Sequence, residues 1–128
     1  MAEEIVSAVF DRYGRGHSGE MLLVLTDRDM YIRQAPWRFA FAMQSPASSV
    51  AVVSLARMDP GFPLVAPGSY EPRAPACPAL LNARAYKMIT RQILRGVCET
   101  EPVDDPRSLR RSSVLSVPDL DAMEEDRY

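Results

Sequence analysis

The sequence predicts an α/β domain with a small mixed sheet, an N-terminal helix and one long helix beneath the sheet. Three observations carry this. Apolar residues recur at helical spacing near the start and again over 79–97, short apolar runs of strand length lie between them, and a proline-dense stretch separates the two regions. The chain of 128 residues is long enough for one domain, 1–128, and at 47% hydrophobic and 25% charged it can bury a core.

Residues 3–13 read as the first helix. Ile5, Val6, Val9, Phe10 and Tyr13 share one side, Glu3 and Glu4 complement the helix dipole, and Gly14 ends the run. Gly14 to Gly19 is a loop by composition. Met21 to Thr26 suits a strand covered on both faces. Trp37, Phe39, Phe41 and Met43 alternate with small or polar residues, which predicts a strand with one bulky face. A turn-rich segment then leads to Val50–Leu55, so the two runs form a hairpin. Residues 60–78 hold six of the eleven prolines and are expected to form an extended crossover loop.

Over 79–97, Tyr86, Ile89, Ile93 and Val97 form an apolar stripe flanked by Leu81, Ala85 and Met88, and Arg84, Lys87, Arg91 and Arg95 form a basic one. Val103–Ser108 is a turn, and Pro118–Met123 reads as a short last helix. Residues 112–128 make an acidic tail, with Asp119, Asp121, Glu124, Glu125 and Asp126 against Arg127.

Composition excludes several function classes. No apolar run exceeds five residues, so no membrane span is expected, and the acidic start lacks the pattern of a secretory signal. A cytoplasmic location follows as the expectation, with Cys77 and Cys98 as reduced thiols. The near balance of 15 basic and 17 acidic side chains argues against a dedicated nucleic-acid binder. Fourteen of the 15 cations are arginine, which points to a GC-rich bacterial genome. His17 is the only histidine, so a zinc site built on two or three histidines is excluded within one chain.

Several short strings resemble the archaemetzincins, small members of the metzincin class of zinc metalloproteases. Leu23-Val24-Leu25-Thr26-Asp27-Arg28-Asp29-Met30-Tyr31 is similar to a family strand ending in T-D-x-D-L-Y. Phe39-Ala40-Phe41-Ala42 resembles the F-V-F-G edge strand, and Ala51-Val52-Val53-Ser54-Leu55-Ala56-Arg57 the V-A-V-V-S-L-A-R-L strand. Asp105-Pro106-Arg107-Ser108 and Asp119-Leu120-Asp121 resemble the segments around and after the family's methionine turn. The likeness runs from about residue 2 to 125 and implies a truncated metzincin-like domain.

The resemblance breaks at the chemistry. Family members carry H-E-x-x-H-x-x-G-x-x-H on the second helix, where histidines one turn apart bind zinc and the glutamate activates the bound water. In the best register Arg91-Gln92-Ile93-Leu94-Arg95 falls on H-E-x-x-H, Cys98 on the glycine and Glu101 on the third histidine. Arginine offers donors only and glutamine takes no proton, so no zinc is expected. Leu109 or Arg110 stands where the methionine belongs.

The resemblance therefore implies a non-catalytic protein, a pseudoprotease that binds a protein or peptide, with Phe39, Ala40, Phe41 and Ala42 as the peptide-binding edge. Two alternatives stay open. One is a metal-dependent peptidase with an unrecognised site. The other is an anion or nucleic-acid binder using Arg84, Lys87, Arg91 and Arg95, against which stands a plain solvated face paired with Glu99, Glu101 or Asp105. Smaller candidates each have a plainer reading: His17 as loop surface, Cys98 as a buried thiol, Asp27 and Asp29 as a self-capping turn, and Arg110-Arg111-Ser112-Ser113 as a chance basic string.

Overall fold

The computed structural model describes residues 1–14, 20–33, 36, 38–45, 47, 49–62 and 75–128. Within them the order is helix α1 (Ala2–Tyr13), strands β1 (Leu22–Thr26), β2 (Ala42–Ser45) and β3 (Val50–Ser54), a 3-10 turn at Ala56–Met58, then helices α2 (Pro78–Gly96) and α3 (Val117–Ala122). The fold is α/β with a small mixed sheet. Trp37, His17 and most of the proline-rich loop predicted over 60–78 lie outside the described residues. The two ends of that loop meet at Asp59, whose Oδ1 accepts from Gly61 N at 3.0 Å and Ala76 N at 3.1 Å.

The sheet order is β1-β3-β2, with β1 parallel and β2 antiparallel to β3. The central strand reads Val50-Ala51-Val52-Val53-Ser54 and is buried throughout, as expected for a strand covered on both faces. On one face Val50 and Val52 meet Ala2 and Val6 of α1. On the other, Val53 meets Phe41, Met58, Met88 and Leu109 beneath α2. Helix α1 ends at Gly14, whose positive φ of 73° suits glycine and whose N–H returns to Phe10 O at 2.7 Å.

The hairpin forms, but its first strand starts later than the alternation predicts. Phe41 is 3% exposed and packs on the α2 side, whereas Met43 packs on the α1 side. The bulky face predicted for Trp37 to Met43 is therefore broken at Ala42, where regular pairing with β3 begins. Phe39 precedes the strand half-buried. Its ring meets Phe41 edge-on at 5.2 Å, and the Arg57 guanidinium lies 4.2 Å from its centroid.

The acidic tail is part of the core. Leu120 and Met123 are fully buried against Met88 and Leu109, and the Ser116 hydroxyl caps α3 by accepting from Asp119 N at 3.2 Å. The chain end is held as well: Arg127 O accepts from Leu109 N at 2.8 Å, and Arg107 O accepts from Glu124 N at 2.8 Å.

The larger departure concerns α2. Its buried residues are Arg84, Met88, Arg91 and Gln92, whereas Tyr86, Ile93 and Val97 of the predicted apolar stripe are exposed. The helix thus packs through its basic side. Arginine permits this because its long apolar stem lines the core while its planar head finds oxygen acceptors.

Truncating Phe41 to alanine is expected to cost about 3–5 kcal/mol, and Phe39 less, about 1–3 kcal/mol, because it is only half-buried. Urea denaturation of both variants checks the order. A loss below about 1 kcal/mol at Phe41 would show that this face is not core.

Candidate functional site

The basic side of α2 lies against the chain that follows it, and each cation on it has a distinct fate. Arg84 grips Asp121 in a two-pronged pair, Nε to Oδ1 and Nη2 to Oδ2, both at 2.8 Å. Its Nη1 donates to Met58 O at 2.8 Å. Lys87 Nζ lies 3.4 Å from Leu120 O and 3.5 Å from Asp121 O. One turn on, Arg91 is 3% exposed. Its Nη1 donates to Leu109 O at 3.0 Å and closely to Arg111 O, and its Nη2 donates to Ser112 O at 3.1 Å.

Among the described residues Arg91 has carbonyl dipoles but no carboxylate against it. Burial, followed by repulsion from Arg95 and Arg111, pushes its guanidinium down to about 10, so it stays charged at neutral pH. Arg95 differs. It is exposed and makes no hydrogen bond or ion pair among the described residues.

Arg91, Gln92 and Arg95 all line one cleft of about 410 Å³. One wall is the chain from Phe39 to Ala42 with Gln44, the other is Ser112 to Leu115, and α2 forms the floor with Met88. The structure thus brings together Arg91, Gln92, Arg95 and the Phe39–Ala42 segment. Arg84, Lys87 and Glu101 are not part of the lining. Glu101 is exposed, and its carbonyl accepts from Arg110 Nε and Nη2 at 2.9 and 2.7 Å.

The last turn of α2 closes tightly on β2. A Cβ on Gly96 would stand 2.4 Å from Gln44 Nε2 and 2.7 Å from Met21 Sδ, so glycine permits the approach. The chain then reverses at Glu99, in the left-handed region at φ 52°, and Thr100 N and Oγ1 return to Leu94 O at 3.0 and 2.9 Å. The reversal falls one residue after Cys98, where the resemblance has its glycine. Cys98 itself is exposed, which corrects the expectation of a buried thiol.

Two further expectations change. Asp29 does not cap its own turn. It takes Arg57 in a bidentate pair at 2.9 and 2.8 Å, and the Thr26 hydroxyl serves Arg28 N. Asp105 does not face Arg91 or Arg95 and instead pairs with Arg127 Nε at 2.6 Å. Sequence reasoning missed Gln44 and the Ser112–Leu115 wall. For Gln44 the signal was present, since it lies two residues beyond Ala42 on the same strand face.

The residues present do not fit a zinc ion at the helical positions. Arg91 and Arg95 carry no lone pair for a metal, Gln92 is no base, and two guanidinium groups beside the spot repel a cation. Among the described residues no group of three His, Cys, Asp or Glu side chains stands close enough to hold a metal.

No family model and no curated protein matches the chain. Among solved structures, the chain is similar to a zinc-dependent peptidase from Methanocorpusculum labreanum, with a TM-score of 0.68 and 22% identity. The match covers 94% of this chain and 56% of that one, so the chain spans about half the length of its structural neighbour. At this identity the likeness is one of fold, and the fold is peptidase-like. Among the described residues no helix is long and apolar enough to cross a membrane.

The Arg84 pair sets a pH expectation. Hydrogen bonding from Arg84, with its charge and that of Lys87, holds the Asp121 carboxyl below the usual carboxylate range. A bond from Leu115 N does the same for Asp119, aided by Ser116 and Arg111. A carboxyl lowered in the folded state contributes stability that is complete above its unfolded value, about 3.9, and is lost as pH falls toward the folded one. Stability should be level from about pH 8 to 5 and fall below about pH 4. Asp121→Asn should cost about 1–2 kcal/mol at pH 7, limited by the carboxylate's partial exposure, and flatten the acid decline. Urea midpoints at the two pH values check this, and an unchanged midpoint at pH 7 would contradict it.

Proposed function

We propose that this chain is a degenerate archaemetzincin-type protein that binds an extended peptide beside β2 and does not cleave it. The observation that carries the reading is the side-chain chemistry at the three clefted helix positions. Arg91, Gln92 and Arg95 line the same cleft, and Arg91 is fastened by carbonyls of residues 109, 111 and 112. A helix that holds its neighbours by a guanidinium needs no metal to organise that wall. Among the described residues β2 is an edge strand of the sheet beside the cleft, with the Ala40 N–H just before it donating to Met30 O, and this supports the peptide as ligand, since an added strand is bound by its backbone.

The other reading, an active metal-dependent peptidase, is favoured by the description of the structural neighbour as a zinc-dependent peptidase. It would need ligands from elsewhere, such as His17 or Cys98. A nucleic-acid role draws less support, because Arg84, Arg91, Arg110 and Arg111 already donate to protein oxygens. Cys77 and Cys98 are unpaired, in keeping with the cytoplasmic location this proposal includes.

Metal analysis and a peptide-cleavage screen of the purified protein decide between the first two. The proposal expects no stoichiometric zinc and no cleavage, with or without added metal. About one zinc per chain, or proteolysis that a chelator stops, would overturn it.

A further inference from the structure

We infer that the cleft selects an extended peptide carrying an acidic side chain, aspartate or glutamate, which Arg95 and Gln92 hold. This rests on the peptide-binding reading above and adds the chemistry of the ligand.

The backbone fixes where such a peptide lies. Phe41 O accepts from Ser54 N at 2.8 Å, and the antiparallel register continues through Met43 opposite Val52 and Ser45 opposite Val50. Bonded pairs alternate with unbonded ones, so the N–H and C=O groups of Ala42 and Gln44 turn away from β3, toward the outer edge. A strand added there runs about 4.8 Å outside β2. Its side chains alternate, and every second one falls on the face where Ala42 packs toward α2 and Gln44 lies against Gly96. Those side chains meet the helix at Gln92 and Arg95. A chain terminus would instead end in line with the strand, so the acidic group is assigned to a side chain.

The polar groups waiting there are unfilled. Gln92 is 5% exposed, lines the cleft, and makes no side-chain hydrogen bond among the described residues. Its amide atoms are not among the buried unpaired ones, so they open on the cleft and can meet a ligand there. Arg95, three residues on, presents a guanidinium equally without a partner among the described residues. The buried charge of Arg91 lies between them and the wall, balanced by carbonyls alone. No aspartate or glutamate is among the described residues of the lining. The cleft therefore presents positive charge and amide donors to a side chain arriving from the edge, which favours a carboxylate and rejects a lysine.

The probe is an acetylated, amidated peptide of alternating threonine and valine with one central glutamate. It is compared with its glutamine counterpart and with the glutamine peptide left with a free C-terminal carboxylate. Fluorescence anisotropy at about 50 and about 200 mM salt reads the affinities. The glutamate peptide should bind about tenfold tighter than the glutamine one at low salt, with the advantage shrinking at high salt. Arg95→Gln should abolish that difference, bringing the glutamate peptide down to the affinity of the glutamine one, with the melting temperature unchanged because Arg95 is exposed and bonds nothing among the described residues. Equal binding of the glutamate and glutamine peptides would overturn the acidic assignment and leave the peptide reading standing. Tighter binding of the free-terminus peptide than of the glutamate peptide would overturn it in favour of a chain end. Binding of none of the three would overturn both readings.

Discussion

The buried guanidinium of Arg91 is the contact on which the rest of this arrangement depends. It reaches from the floor of the cleft to three backbone carbonyls in four residues of chain, at Leu109, Arg111 and Ser112. A planar donor fork with five N–H groups can satisfy several acceptors at once in a fixed geometry. Those bonds set the distance between α2 and the far wall. Leu109 is thereby pressed into the core beside Met88, and Arg111 turns to bond Asp119 O and Oδ1 at 3.1 Å. Asp119 in turn receives Leu115 N at 3.0 Å, so α3 and the wall from 112 to 115 are ordered together. Arg84 repeats the device two turns earlier with Asp121.

A helix so fastened holds its wall of the cleft through bonds from a guanidinium to backbone carbonyls. Of the strings that carry the likeness to archaemetzincins, Phe39–Ala42 lines the cleft, whereas those at 23–31 and 51–57 lie away from it and hold one another. Asp29 and Arg57, one in each of two strings, form the bidentate pair. Leu55 N donates to Thr26 O at 2.8 Å, and the Ser54 hydroxyl donates to Arg28 O at 2.7 Å. Those residues brace the ends of β1 and β3 and seat Arg57 on Phe39. They are contacts of the scaffold and involve none of the α2 side chains that line the cleft.

The scaffold was legible for the same reason. Strand-length apolar runs, the hairpin and the two longer helices follow from local periodicity, and β3 is central because every one of its side chains can be buried. The facing of α2 was not legible. A stripe of Arg84, Lys87, Arg91 and Arg95 beside a stripe of Tyr86, Ile89, Ile93 and Val97 suggests that the apolar one packs, because cations ordinarily seek water. Here the partners of Arg84, Lys87 and Arg91 are the side chain of Asp121 and the carbonyls of Met58, Leu109, Arg111, Ser112, Leu120 and Asp121, all 18 or more residues away in the chain. Backbone carbonyls carry no residue signature, so no pattern in the sequence announces them. The cleft followed from the helix spacing of residues 91, 92 and 95, whereas its far wall did not, since nothing in Ser112-Ser113-Val114-Leu115 marks it as one.

The most direct test of this account is amide hydrogen exchange in Arg91→Met, a substitution that keeps the apolar stem and removes the donors. The amides of Leu109, Arg111 and Leu115 are hydrogen-bonded in the wall and in the segment leading to it. If the guanidinium organises that region, they should lose about a hundredfold of protection, while the β3 amides keep theirs. Unchanged protection at Leu109, Arg111 and Leu115 would contradict the account, because the wall would then stand without Arg91.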